Sequence, residues 1–296
     1  MIPARIARLA DRGVVRVTGA DAEKLLQGVV SNDMELLASQ PAIHAALLTP
    51  QGKILFDFFV VRAGDGFLLE VARDKAADLA KRLNLYKLRA KVDIQDASED
   101  YRVLVLWGPS SAGREEAAGT VSFADPRLPA LGSRILADAR SACSKAGEAD
   151  ALDAAPEDYH AHRIALGVPE GGKDYALGDT FPHEADLDKL RGVSFSKGCF
   201  VGQEVVSRMQ NRGSVRKRVM PIEGERPLAS GAEVKVDAAA IGTVGSVAGN
   251  LALALLRLDR AAEAKAKGHI LAADGVAVML REPPFDMGPA APAEAP

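Results

Sequence analysis

Short apolar runs separated by glycine- and proline-bearing turns dominate the chain, and stretches with apolar residues three and four apart interrupt them. "GVVRVTG" (13–19) predicts a strand. "ADAEKLLQGVV" (20–30) predicts a short helix, with Leu25, Leu26 and Val29 at helical spacing and acidic Asp21 and Glu23 in its first turn. "HAALLT" (44–49), "ILFDFFVV" (54–61) and "FLLEVA" (67–72), joined by the turns "PQGK" and "AGDG", predict an antiparallel meander. "RDKAADLAKRLNLYKL" (73–88) reads as an amphipathic helix with Ala77, Leu79, Leu83 and Leu85 apolar. "KVDIQ" (91–95) and "YRVLVLW" (101–107) follow as a second strand pair. Sheet pairs alternating with covering helices, without a parallel βαβ chain, predict an α+β class.

Residues 108–155 are rich in Ala, Ser and Gly, with weak strand signals near "VSFAD" and "SRILAD". Helices are predicted at "PEDYHAHRIALG" (156–167), with proline at its start and glycine at its end, at "FPHEADLDKL" (181–190) and at "FVGQEVVSRMQ" (200–210). From Val215 the texture changes to short strands punctuated by glycine and proline, which predicts a small antiparallel barrel or sandwich. The last residues, "EPPFDMGPAAPAEAP", predict a disordered tail.

Composition narrows the class. A chain of 296 residues sits at the upper limit for one hydrophobic core, so more than one subdomain is expected. Its 37 basic and 40 acidic residues give a net charge of −3, which argues against a dominant nucleic-acid or membrane-surface role. Two cysteines, Cys143 and Cys199, cannot form a disulfide framework. That points to a reducing, cytoplasmic compartment, and no stretch is apolar and long enough to suggest a membrane span. Cys143 sits in a polar segment and receives no role.

Three features carry candidate chemistry. Cys199 stands two residues after Lys197 and directly before a predicted helix. A helix N-terminus and a nearby cation favour a thiolate over a thiol. A small buried cysteine is the alternative. Asp57 is the single charge in "ILFDFFVV", with apolar residues on both faces of the strand. A carboxylate there needs hydrogen bonds or an ion pair, from the protein or from a heterocycle with adjacent N–H groups such as a pterin. The basic run Arg208, Arg212, Arg216, Lys217 and Arg218 suits phosphate, a polyglutamate chain or RNA, or is simply a solvated face. His160 and His162 are two apart on a helix and do not suit zinc.

"KGCFVGQE" (197–204), followed by "VVSR" and "RGSVRKR", resembles the signature of the YgfZ-type folate-binding proteins, relatives of the glycine-cleavage T-protein (aminomethyltransferase, GcvT) that act in iron–sulfur cluster assembly or repair. "VTGADAEKLLQGVVSND", "LLTPQGKILFDFFV" and "HRIALGVPEGGKDYALGDTFPHEADLDKLRGVSFSKGC" resemble further blocks of that family.

The resemblance implies a GcvT-like multi-subdomain ring around a central tetrahydrofolate pocket, with a C-terminal antiparallel β-barrel. It implies a folate-binding region of two intertwined subdomains over residues 1–213, a barrel over 214–283 and a tail over 284–296. It implies a functional pair in Cys199 and Lys197, and folate contacts from Asp57, Asn32, Asp33, Gln203, Glu204 and Arg208. Where the T-protein carries a glutamate in an R-x-E-x-G stretch, this chain has Ala165 in "RIALG", which argues against aminomethyl transfer. The function so implied is a tetrahydrofolate-binding accessory factor for iron–sulfur proteins, its partners being folate and cluster carriers or client proteins. The alternatives are a folate-dependent one-carbon transferase and a non-catalytic scaffold for cluster carriers or tRNA-modifying enzymes.

Overall fold

The computed structural model describes residues 3–109, 119–140, 151–212 and 215–286. Cys143 and most of the expected tail lie outside the described residues. The chain packs into two units, the first formed by residues 1–48, 55–159 and 190–201, the second by 49–54, 160–189 and 202–296.

The first unit contains β1 (Arg5–Arg8), β2 (Arg12–Thr18), α1 (Ala22–Val29), β3 (Ala42–Leu48), β4 (Ile54–Ala63, from its second residue), β5 (Gly66–Ala72), α2 (Ala76–Lys87), β6 (Asp93–Asp96), β7 (Tyr101–Trp107), β8 (Thr120–Ala124), β9 (Ser133–Asp138) and β10 (Leu152–Asp153). Two five-stranded sheets result, in the orders β3-β4-β5-β2-β6 and β10-β1-β7-β9-β8. Strand alternation in β4 divides its side chains between two cores. Phe56, Phe58 and Val60 pack with Leu26 and Val29 of α1 and with Leu79 and Leu83 of α2. Phe59 and Val61 pack instead with Val103, Val105 and Trp107 of the second sheet. One face of the first sheet is therefore covered by helices and the other by the second sheet.

The expected meander is present as β3, β4 and β5. The expected pairing of 91–95 with 101–107 is not: β6 joins β2, whereas β7 lies between β1 and β9 in the other sheet. In α2 the buried stripe is Ala76, Leu79, Ala80 and Leu83, so Ala77 and Leu85, read as core, face solvent.

α3 (Pro156–Ala165) runs from the first unit into the second. The second unit also holds α4 (Gln203–Arg212) and the strands β11 (Lys217–Gly224), β12 (Glu233–Val236), β13 (Ala239–Ala248), β14 (Leu251–Arg257), β15 (Leu271–Ala273) and β16 (Val276–Leu280), with α5 (Leu258–Lys267) between β14 and β15. The strands close into an antiparallel barrel in the order β11-β14-β13-β12-β15-β16. Its interior is lined by Ile222, Val234, Val244, Ala254, Leu256 and Val278. The sequence reading missed α5, whose alanine-rich run buries only Ala261 and Ala264 and ends on left-handed Gly268.

Two helix expectations are corrected. Residues 181–190 form successive turns rather than a helix, because Asp186 adopts φ 60° and its side chain is drawn to Arg218. The helix expected from residue 200 begins at Gln203, since Gly202 at φ 82° breaks the chain direction first. Among the described residues, no helix is long and apolar enough to cross a membrane.

Candidate functional site

The segment that precedes α4 is held by two inward-pointing side chains. Lys197 is buried, and its ammonium donates to the carbonyls of Gln27, Val30 and Asn32 at 2.7, 2.9 and 2.7 Å. Three acceptors saturate a lysine ammonium. Phe200 is also buried, with its ring centroid 5.3 Å from that ammonium. Burial pulls the Lys197 pKa down to about 8, while nearby Asp33 works in the other direction.

Between these anchors the backbone turns outward. Cys199 is a free, exposed thiol. A side chain built on Gly198 would meet nothing within 4 Å, so the space beside the sulfur is open. The buried-cysteine alternative is thereby removed. The helix-terminus argument changes as well, because α4 starts four residues beyond Cys199.

The loop after α1 supplies the other half of this arrangement. Asn32 Nδ2 donates to His44 O and Arg191 O, and its Oδ1 accepts from Asp33 N. Ser31 Oγ donates to Gly192 O and accepts from Ala46 N, and Ser31 O accepts from Ser194 N. Asp33 caps the following turn through Glu35 N and receives Gln27 Nε2. The S-N-D turn thus ties the β3 edge to residues 190–197. Its Asn32 side chain is fully engaged within the protein.

Asp57 lies on β4, alternating with buried Phe56 and Phe58 and sharing its face with Phe59 and Val61. It is intermediate in exposure. A partly exposed carboxylate on an otherwise apolar strand suits a heterocycle edge that offers adjacent N–H groups.

Gln203, Glu204 and Arg208 belong to the second unit. Glu204 and Arg208 form an exposed pair one helical turn apart, 2.7 Å between charged atoms. The basic run divides. Arg218 is buried and bridges Asp186 and Asp188, whereas Arg216 and Lys217 are exposed. The side chain of Arg212 lies outside the described residues.

Sequence reasoning overlooked two buried ionic clusters. In the first unit, Arg12 and Arg134 pair with Glu70, Arg134 and Arg127 pair with Asp125, and Arg134 reaches the Tyr159 hydroxyl at 3.2 Å. His44 lies beside this cluster, its ring 5.4 Å from that of Phe59. Burial, aided by Arg127, pushes the His44 pKa down to about 3. In the second unit, Arg163 binds Asp174, Val168 O and Ser246, and its Nε lies 3.3 Å from Glu170. A signal was present for the first cluster: Glu70 is the lone charge in "FLLEVA" just as Asp57 is in "ILFDFFVV".

Known proteins resemble this chain in sequence and in fold. Residues 8–120 match the GCVT N-terminal domain, and residues 216–286 match the CAF17 C-terminal beta-barrel domain. The glycine cleavage system aminomethyltransferase T from Bartonella henselae superposes over 96% of this chain and 86% of its own, with a TM-score of 0.77 at 17% identity, which establishes the fold. The class is thus an aminomethyltransferase-T fold completed by a CAF17-type barrel.

The iron-sulfur cluster assembly factor IBA57 of Homo sapiens, a mitochondrial protein, is 34% identical over 305 residues, covering 92% of this chain and 82% of its own length. The mitochondrial IBA57 homologue of Mycosarcoma maydis is 38% identical over 231 residues, covering 74% of this chain. The chain belongs to the IBA57 family of iron–sulfur cluster assembly factors. It spans only 57% of the length of the Mycosarcoma relative. The relatives carry the IBA57 name rather than that of the YgfZ branch. They are named as mitochondrial, which overturns the expected cytoplasmic location.

Proposed function

We propose that this chain is an accessory factor in iron–sulfur cluster assembly that binds a reduced folate and presents Cys199 as a transient ligand for a cluster in transit. Family membership supports the iron–sulfur role. The observation that carries the thiol assignment is the display of Cys199, exposed beside the open space at Gly198 and held between buried Lys197 and Phe200. Lys197 fixes the presenting loop through backbone carbonyls.

One thiolate cannot hold a [4Fe–4S] cluster, which takes four such ligands. The remaining ligands come from a partner, a carrier or a client protein. Asp57 supplies the carboxylate for the 2-amino-4-oxo edge of tetrahydrofolate. We assign residues 1–213 to this folate-binding region, with Gln203, Glu204 and Arg208 at its end, and residues 214–283 to the barrel. Ala165, which stands where the T-protein has a folate-contacting glutamate, argues against aminomethyl transfer.

The test has two arms. Tetrahydrofolate binding to the purified chain, followed by tryptophan fluorescence, should weaken about tenfold or more in Asp57→Asn, the loss expected for one charge-assisted bidentate contact. Activity of [4Fe–4S] enzymes in cells under oxidative stress should fall in Cys199→Ala and be restored by the unaltered chain. Full cluster-enzyme activity in Cys199→Ala would remove the thiol from the mechanism. No folate binding by the unaltered chain would remove the cofactor.

A further inference from the structure

The stretch "KRLNLYKLRAK" (81–91) holds five basic residues and no acidic one, in a chain whose net charge is −3. It forms the last turns of α2 and the segment that follows. Its inward residue, Leu83, is buried, yet Leu85 is 64% and Leu88 88% exposed. Lys81, Arg82, Arg89 and Lys91 are exposed around them, and Lys87 is partly so. Among the described residues, none of these five cationic side chains has an ion-pair or hydrogen-bond partner. Other surface cations form pairs, as in Arg62 with Glu23, Lys75 with Asp74 and Lys267 with Glu263.

Leu88 adds an independent observation. It ends α2 at φ 46° and ψ −107°, a backbone conformation outside the regions open to L-residues, in which glycine is the residue expected. A leucine there is strained, and at 88% exposure no packing within the fold compensates. Strain kept at an exposed apolar side chain marks a position whose role lies outside the folded monomer. Cations at a helix C-terminus complement the macrodipole, which accounts for Lys87 but not for the leucines or for Arg89 and Lys91.

We propose that residues 81–91 are a docking surface for an acidic protein partner, with Leu85 and Leu88 as apolar anchors inside a ring of cations. Charge complementarity selects the partner: its matching surface carries Asp and Glu around an apolar centre. A membrane is the poorer match, because the apolar stripe of α2 is already buried in the core and two leucines give little to insert. Nucleic acid is poorer as well, because the surface is centred on aliphatic side chains and Tyr86 packs against the core. This inference does not depend on the folate or thiol assignments.

The experiment places a photoreactive benzoylphenylalanine at position 85 of the full chain in cells, with exposed Glu35 as the control position. The expected result is a discrete protein adduct at 85 and none at 35, with a cross-linked peptide rich in Asp and Glu. The adduct should fall about tenfold or more in Arg82→Glu/Arg89→Glu and in Leu88→Gly, the loss typical of a central interface contact. Leu88→Gly should melt no lower than the parent, since glycine accepts the backbone angle; lost docking is thereby separated from lost folding. The proposal is overturned by equal adducts at both positions, by adducts insensitive to charge reversal, or by a non-acidic contact peptide. Retention of the purified chain on phosphatidylglycerol vesicles or on RNA, lost in the same variants, would overturn it too.

Discussion

The ammonium of Lys197 lies 2.7 Å from the carbonyl oxygen of Asn32, joining positions 165 residues apart. That bond, with those to Gln27 and Val30, makes the lysine of the K-G-C motif an anchor for the turn after α1. Removing it leaves three carbonyls without their shared donor. Lys197→Met should cost about 3 kcal/mol of stability, from hydrogen bonds to a charged group and buried acceptors left unpaired. Exposed Cys199 makes no such contribution, and Cys199→Ser should change stability by less than about 0.5 kcal/mol. Urea unfolding of both variants checks this; equal losses would refute the division of labour between the two motif residues.

Glu70 joins Arg12 and Arg134 inside the first unit, all three being buried. A buried pair contributes little net stability, but breaking one strands the opposite charge. Glu70→Ala should therefore cost about 3–5 kcal/mol, whereas Arg12→Met combined with Glu70→Leu should cost clearly less than the sum of the single changes. Additive losses in chemical denaturation would show that the two charges do not act as a unit.

The sequence carried the architecture further than the site. The meander and the barrel strands were legible because alternation and turn residues agree locally, as in "ILFDFFVV", "AGDG" and "FLLEVA". Partner choice was not legible: β6 and β7 are neighbours in the chain but enter different sheets, and pairing is settled by tertiary packing. The turns at 181–190 carried a helical pattern that the buried bond from Arg218 to Asp186 overrides. At the site, the motif drew attention to Lys197 and Cys199 as a pair. It could not show that one side chain points into a carbonyl cradle and the other into solvent, because adjacency in sequence does not fix side-chain direction. Leu85, which fits the helical period, is exposed for the same reason: spacing identifies a stripe but not its edge.

His44 should make the protein acid-sensitive. Its imidazole is held at about 3 by burial, with Arg127 adding to the shift, against 6.5 when unfolded. As pH falls below 6.5 the unfolded chain takes up a proton that the folded chain refuses, so stability present at neutral pH is lost progressively toward pH 3. At pH 5 this one group should account for about 2 kcal/mol. His44→Gln should therefore lose less stability between pH 7.5 and 5 than the parent, as read by urea midpoints. A parallel decline would show that His44 is not the sensor.

Asp186 should act in the opposite sense. Its carboxyl is fully buried, and burial pushes its pKa up to about 8 although Arg218 pulls it down. Arg218 Nη1 lies 2.7 Å from Asp186 Oδ1 and 2.8 Å from Asp188 Oδ1, and Nη2 gives Asp188 a second bond at 3.1 Å. Lys189 adds attraction and Asp188 repulsion. His183, itself buried and with its pKa lowered by that burial, feels Asp188, Arg218 and Lys189 as well. Because the folded pKa lies above the unfolded one of 3.8, the folded chain retains a proton that the unfolded chain releases, and stability falls as pH rises from about 4 to about 8. Asparagine is neutral throughout this range, accepts the φ of 60° found here, and leaves Arg218 its two bonds to Asp188. Asp186→Asn should thus gain on the parent between pH 5.5 and 8.5, by about 3 kcal/mol. Denaturant titrations at the two pH values measure the gain directly, and an unchanged difference would mean that Asp186 is ionised across the whole range and that Arg218 neutralises both carboxylates at once.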